Sequence, residues 1–420
     1  MKRYILSIVV AFSAMTLWAQ VPSVIDELKS DPKKSYGNDY PYLYTHDHEL
    51  TKAPKGYKPF YISHYSRHGS RYYWNSSLYE VLDTLLTKAH DNGLLTSEGE
   101  GFYSRFMEAK QELKTGVSEL TQLGWEQHQG IARRMYENFP EVFRKGGDVL
   151  AISSLSGRCV LSMAGFCQEL VQCNPQIEIR EQSSRFTLDG VVPIDGDNPL
   201  RVKYPSATPR YEANKDKFHQ SSSLEDDIMK RTFKEGAEVD PAIASSLINL
   251  YTSLPNIGHE GMMGNIITDE EIVARWESSN LGSYSWVFSG QYGMIPVLKD
   301  ILSKADAAMD GNGRLADFRF GHDSCIGPLT VLMGINGADQ DPADPYQVKN
   351  IYQNWRTCMA CNIQLVFYKG KKSADDILVK CLLNESEASL PVATDTFPYY
   401  KWEDVKAFYL GRCDSVKPLQ

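Results

Sequence analysis

The stretch "YISHYSRHGSRYYWN", residues 61–75, gathers Arg67, His68 and Arg71 within five positions in a chain of 420 residues whose formal net charge is -9. Residues 60–66 have the aromatic and β-branched content of a strand, and the Arg67-His68-Gly69 turn ends it. A buried strand thus delivers two guanidiniums and an imidazole to one turn.

Two other stretches follow the same grammar. "DVLAIS" (148–153) reads as a strand and leads into "SLSGRCVLSMAGFCQELV", where Val160, Ala164, Cys167 and Val171 keep helical spacing. Ser156 is the expected cap of that helix, which puts Arg158 in its first turn. "LADFRFG" (315–321) alternates like a strand, and His322-Asp323-Ser324 then opens onto a helical "CIGPLTVLMG". Between them, "LTQLGWEQHQGIARRMYENF" (120–139) reads as a helix entered through Thr121 and Gly124. Leu123, Ile131 and Met135 are its buried face, and Arg133-Arg134 a solvated one. Residues 362–384 read as two strands around a Lys/Gly/Ser-rich turn, a hairpin at a sheet edge.

Strands alternating with helices predict an α/β fold: a mainly parallel central sheet with helices on both faces, and ligands beyond the carboxyl ends of the strands. The three junctions are expected to share one pocket. The length exceeds what one core supports. The expected division is a leader at 1–20, an α/β core in two parts (21–185 and 306–420), and an inserted α-helical cap at 186–305 with a capping box at Thr268–Glu271.

Hydrophobic content of 42% and charged content of 23% are ordinary for a globular protein. A pI near 5.6 excludes the extended basic face that nucleic acid or an anionic membrane requires. "MKRYILSIVVAFSAMTLWAQ" has Lys2 and Arg3, an apolar run and Ala19, the pattern of a cleaved signal peptide. The expectation is a periplasmic or secreted protein with no membrane association after cleavage. Eight cysteines permit disulfides in such a chain, with pairing and oligomeric state both open. Cys358-x-x-Cys361 lacks a thioredoxin-type context and is not read as redox-active. His46-x-His48 has no partner at metal-ligand spacing and reads as a solvated loop.

Chemistry follows from the residue types. Arg67, Arg71 and Arg158 offer planar forks for phosphate oxygens, and a helix N-terminus beneath Arg158 adds N–H groups and a favourable dipole. In that positive potential His68 is held neutral, with a ring nitrogen free to attack phosphorus. Asp323, beside His322, is placed to protonate a leaving alkoxide. That role needs a raised pKa, from desolvation or from the substrate's charge, and predicts activity favoured by mild acid. His64 is expected to pack beside the strand, and Tyr72, Tyr73 and Trp74 to pack the cap.

These residues resemble the histidine acid phosphatases, the phytase-containing branch of the histidine phosphatase superfamily, whose signatures are Arg-His-Gly-x-Arg near the start (here Arg67–Arg71) and His-Asp near the end (here His322-Asp323). "LTQLGWEQH" (120–128) is similar to the family's Leu-Thr-x-x-Gly segment, and "SSLSGRCVLSM" (153–163) to its Ser/Thr-rich turn with a pocket arginine. The closest subgroup looks like the multiple inositol polyphosphate phosphatases. Where that subgroup has His-Ala-Glu this chain has His322-Asp323-Ser324, and Tyr72 to Trp74 replace the usual Pro or Ala after the second arginine. The resemblance implies that His68 forms a phosphohistidine, that Arg67, Arg71, Arg158 and His322 bind the phosphoryl group, and that Asp323 protonates the leaving oxygen and then helps activate water. It implies no metal or organic cofactor, and a phosphorylated small molecule as substrate, first an inositol polyphosphate such as phytate. A broad-specificity periplasmic acid phosphatase and a non-catalytic receptor for phosphorylated ligands are the alternatives.

Overall fold

The computed structural model describes residues 23–44, 49–219, 223–311, 313–370 and 376–420, so the expected leader at 1–20 and the His46-x-His48 motif lie outside the described residues. Eight strands form one sheet: β1 (Lys58–Arg67), β2 (Gly147–Ser153), β3 (Ile177–Ser183), β4 (Ala316–Gly321), β5 (Asn362–Lys369), β6 (Ile377–Leu383), β7 (Ser386–Ala388) and β8 (Tyr399–Lys401). Their order is β3-β2-β4-β1-β5-β6-β7, with β8 also paired to β6. β3, β2, β4 and β1 run parallel, and β5 begins an antiparallel half. The expected α/β class and parallel sheet are therefore present around the three junctions. The 362–384 hairpin is not a bare edge, because β6 has β5 on one side and β7 and β8 on the other.

The helices are α1 (Val24–Ser30), α2 (Ser77–Asp91), α3 (Ser97–Thr115), α4 (Gln122–Asn138), α5 (Pro140–Phe143), α6 (Gly157–Cys173) and α7 (Leu224–Thr232). They continue with α8 (Ala242–Ser253), α9 (Asp269–Gly290), α10 (Ile295–Met309), α11 (Asp323–Met333), α12 (Val348–Ile351) and α13 (Trp402–Asp414). None among the described residues is long and apolar enough to cross a membrane.

β1 is buried from Tyr61 to Arg67, as a central strand covered on both faces must be. Its alternation separates two layers. On one face His64 meets Phe166 of α6 with ring centroids 5.0 Å apart. On the other, Ser63 Oγ accepts from Arg319 Nη1 at 3.1 Å, and Arg319 Nη2 reaches Asp300 of α10 at 2.6 Å. The buried stripe of α6 is Cys159, Met163, Phe166, Cys167 and Leu170. This turns the expected Val160/Ala164/Val171 face partly outward, because Met163, Phe166 and Leu170 remove more apolar area from water.

A second hydrophobic core gathers Leu78, Leu82 and Leu86 of α2, Phe102 and Phe106 of α3, Ile228 of α7 and Leu247 of α8. α10 contributes Val297, Leu298 and Ile301 to the core of the main sheet instead. In the packing, α2 and α3 share one core with α7 and α8 of the 186–305 segment, and α10 joins the core of the sheet. Sequence contiguity hides a layer assembled from two distant segments.

Arg134 departs from the expected solvated face. Its Nε and Nη2 donate to Glu385 at 2.9 and 2.7 Å, and its guanidinium lies over the Tyr44 ring at 3.9 Å. All eight cysteines are free, seven of them buried.

Candidate active site

The strand order sets the carboxyl ends of β2, β4 and β1 side by side. Two backbone bonds extend their ladders into the loops: His68 N–H donates to Gly321 O at 3.0 Å, and Ser154 N–H to Phe320 O at 2.9 Å. The three junctions are thus fastened to one another before any side chain is considered.

The turn after β1 is clamped on two sides. Gly69 lies against the start of α4, where a Cβ on Gly69 would stand 2.3 Å from Gly124 O, and one on Gly124 2.3 Å from Ser70 O. Gly69 N–H donates to Ser162 Oγ (3.0 Å), Ser70 N–H to Gln127 Oε1 (2.9 Å), and Thr121 Oγ1 to Ser70 O (3.0 Å). Opposite, Arg67 N–H donates to Cys361 O and Ala360 N–H to His68 O, each at 2.9 Å. Cys358-x-x-Cys361 is therefore part of a turn that holds the loop.

The guanidiniums share a pattern. Arg67 Nη1 donates to Asn38 O (2.5 Å) and Thr357 O (3.0 Å), while its Nη2 lies 3.3 Å from Asp323 Oδ2. Arg71 Nη1 donates to Tyr72 O (3.1 Å), and its Nη2 lies 3.8 Å from Asp39 Oδ1. Arg158 Nη1 donates to Ser118 Oγ (2.6 Å) and its Nη2 to His322 Nδ1 (3.4 Å). In all three, the buried Nε has no hydrogen-bond partner among the described residues. Three cations face two carboxylates here, and their orphaned donors suit an oxyanion rather than a metal.

His68 is 2% exposed, and its Nδ1–H donates to Gly69 O at 2.9 Å, which leaves the lone pair on Nε2. Burial, then the charges of Arg67 and Arg71, hold its pKa well below the ordinary value, so the ring is neutral. His322 stands beside it, ring centroids 5.6 Å apart. Because Arg158 donates to its Nδ1, His322 carries its proton on Nε2 and donates to Ser154 Oγ at 2.9 Å. Burial and the Arg158 charge lower its pKa as well.

Asp323 begins α11, with its Oδ1 accepting from Ser324 N–H at 2.9 Å. Burial raises its pKa, but Arg67, Arg71, His322 and the Ser324 bond outweigh burial and leave it below the usual carboxylate range. The expected raised pKa is thus absent from the ligand-free protein, because the same cations that favour a phosphate also favour this carboxylate. Ser156 does precede α6 as expected, yet its hydroxyl makes no capping bond.

All six residues singled out in the sequence meet here. Asn38, Asp39 and Ser118 also meet them and carried no motif, while Ser154 comes from the Ser/Thr-rich turn at 153–163. His64 packs in the core as expected. Tyr72 and Tyr73 pack against the second core, whereas Trp74 is 56% exposed.

No family model matches the chain, and no curated protein matches it in sequence. Solved structures share its fold. The multiple inositol polyphosphate phosphatase of Bifidobacterium longum, in complex with inositol hexasulfate, superposes with a TM-score of 0.69 at 19% identity, over 90% of this chain and 97% of that one. The phytase from D. castellii gives 0.69 at 15% identity over 96% of this chain and 89% of that one. The Hafnia alvei phytase in complex with tartrate gives 0.51 at 13%, over 87% and 99%. The chain has the fold of these phosphatases, over nearly their full length.

Proposed function

We propose that this protein is a histidine acid phosphatase: a phosphomonoester hydrolase that works through a phosphohistidine on His68, with inositol polyphosphates such as phytate as the first substrate class. The observation that carries this reading is the neutral His68, its proton fixed on Nδ1, among three guanidiniums whose Nε atoms lack partners among the described residues. The shared fold supports it independently.

The chemistry follows from the atoms. Arg67, Arg71 and Arg158 take the equatorial phosphoryl oxygens; His322 joins them as the cation that the substrate's negative charge favours, donating from Nδ1 in place of its contact with Arg158, and together they stabilise the charge through the transition state. Nε2 of His68 attacks phosphorus as the P–O bond to the leaving group breaks. The Asp323 carboxyl passes its proton to that oxygen. In the second half, water attacks the phosphohistidine, its proton goes to the Asp323 carboxylate, and the P–N bond breaks to restore neutral His68 and free phosphate. No step calls on a metal or an organic cofactor. Export to the periplasm or medium belongs to this reading through the leader at 1–20.

A broad-specificity acid phosphatase is the second reading. It is favoured by the exposed Trp74 (56%) and Leu155 (38%), close in sequence to Arg71 and Arg158, which suit an apolar leaving group. Phosphate release from p-nitrophenyl phosphate and from phytate between about pH 4 and 8 tests both readings. Release from each, abolished by His68→Ala, with an acid-labile phosphohistidine trapped in the wild type, is the expected outcome. Aryl release alone selects the second reading, and phosphate binding without release from either ester would make the protein a receptor.

A further inference from the structure

Ser118 belongs to no motif. It lies in the loop between α3 and α4 with φ 68°, a left-handed conformation that a residue with a Cβ adopts only when its surroundings enforce it. Two contacts enforce it here. Its N–H donates to Tyr73 O at 3.0 Å, which ties it to the segment just after Arg71. Its Oγ accepts from Arg158 Nη1 at 2.6 Å.

The second contact matters because of what the three arginines share. Arg67 and Arg71 anchor Nη1 on backbone carbonyls, of Asn38 and Thr357 in one case and Tyr72 in the other. Arg158 alone anchors Nη1 on a side-chain oxygen. Its other hydrogen bond among the described residues is the 3.4 Å bond from Nη2 to His322. A long side chain held by one short bond and one long bond loses its geometry when the short one is removed.

We propose that Ser118 is a positioning residue of the phosphate pocket: its left-handed backbone is kept so that its hydroxyl fixes the Arg158 guanidinium, leaving the Nε–Nη2 edge for phosphoryl oxygens. This rests on the phosphate-binding reading above. The strain and the hydroxyl are two halves of one device, so they separate under mutation.

Ser118→Gly relieves the backbone and removes only the hydroxyl; Ser118→Thr keeps an oxygen at the same position and adds a β-branch that the left-handed region resists. The measurements are the inhibition constant of inorganic phosphate, KM and kcat for p-nitrophenyl phosphate, and Tm. For Ser118→Gly the inhibition constant and KM should rise about tenfold, with kcat less affected. Its Tm should be unchanged or raised by about 1–2 °C. Ser118→Thr should lower Tm yet keep phosphate inhibition within about twofold of wild type. In an Arg158→Ala background, Ser118→Gly should change the inhibition constant less than about twofold, since the hydroxyl then has nothing to position. A Ser118→Gly protein with wild-type phosphate affinity, or one whose loss persists in the Arg158→Ala background, overturns the proposal while the phosphatase reading stands. A wild type that neither binds phosphate nor hydrolyses any ester overturns both.

Discussion

Asp323 and His68 meet the same positive potential with opposite consequences. For His68 as the proposed nucleophile a depressed pKa is useful: the ring stays neutral through the mildly acidic range, so its free lone pair is not lost as pH falls. For Asp323 it is a handicap, since Arg67, Arg71 and His322 hold the free enzyme's carboxyl ionised against the effect of burial. Its proton must arrive with the substrate, whose own charge offsets the arginines. A phosphomonoester loses its second proton near pH 6. kcat/KM should therefore be highest below about pH 6 and fall about tenfold per unit well above it, with no acid limb from His68 in that range. A rate that keeps rising to pH 8 would contradict the scheme. Asp323→Asn removes the proton donor and should lower kcat on an alkyl ester such as glycerol phosphate by about a thousandfold. p-Nitrophenyl phosphate, whose leaving group needs little protonation, should lose only about tenfold. Equal losses on the two esters would refute Asp323 as the acid.

Between elements, the decisive contact is the close approach of the β1 turn to the start of α4. Gly124 has no room for a Cβ beside Ser70 O. Gly124→Ala must push the helix and the turn apart, at a cost of about 1–3 kcal/mol in stability. Shifting the clamp on His68 should lower kcat/KM about a hundredfold, and thermal unfolding with kinetics on the same sample reads both. An alanine variant with wild-type kinetics would show that the turn is set by the Cys361 side instead. The junctions themselves were legible in the sequence, because each is a strand that ends on its own reactive residues and parallel topology aligns such ends. Thr121 and Gly124 were legible too, but as a helix start, since their partner Ser70 lies 51 residues before Thr121. Asn38 was not legible at all: it serves Arg67 through a backbone carbonyl, which any residue possesses. Asp39 ends a polar 3-10 helix (Pro32–Asp39) and Ser118 sits in a polar loop, places where one carboxylate or hydroxyl looks like any other. The second core was hidden for a related reason, as α2 and α3 precede the segment that reads as the cap.

Across the whole molecule, acid has two opposed effects. It supplies the proton that the acid role proposed for Asp323 requires, and it charges groups the folded state refuses to charge. His64 and His128 are fully buried; neither ring nitrogen of His64 has a partner among the described residues, and the His128 ring lies against the backbone of Arg67. Burial pulls both pKa values down to about 3. The unfolded chain binds these protons near pH 6.5 and the folded chain only near pH 3, so stability falls as pH falls through that window. At pH 5 one such histidine costs about 2 kcal/mol relative to neutral pH. Activity and stability therefore pull the working pH in opposite directions. His64 packs against Phe166, Phe318 and Phe320 rather than against the phosphate pocket, so His64→Leu keeps an apolar neighbour for those rings. The variant should lose about 2–4 °C less in Tm than wild type between pH 7 and pH 5. It should also retain activity longer at pH 5 while keeping the wild-type kcat/KM profile. An identical Tm drop in both proteins would move the acid lability to His128 or to the paired carboxylates.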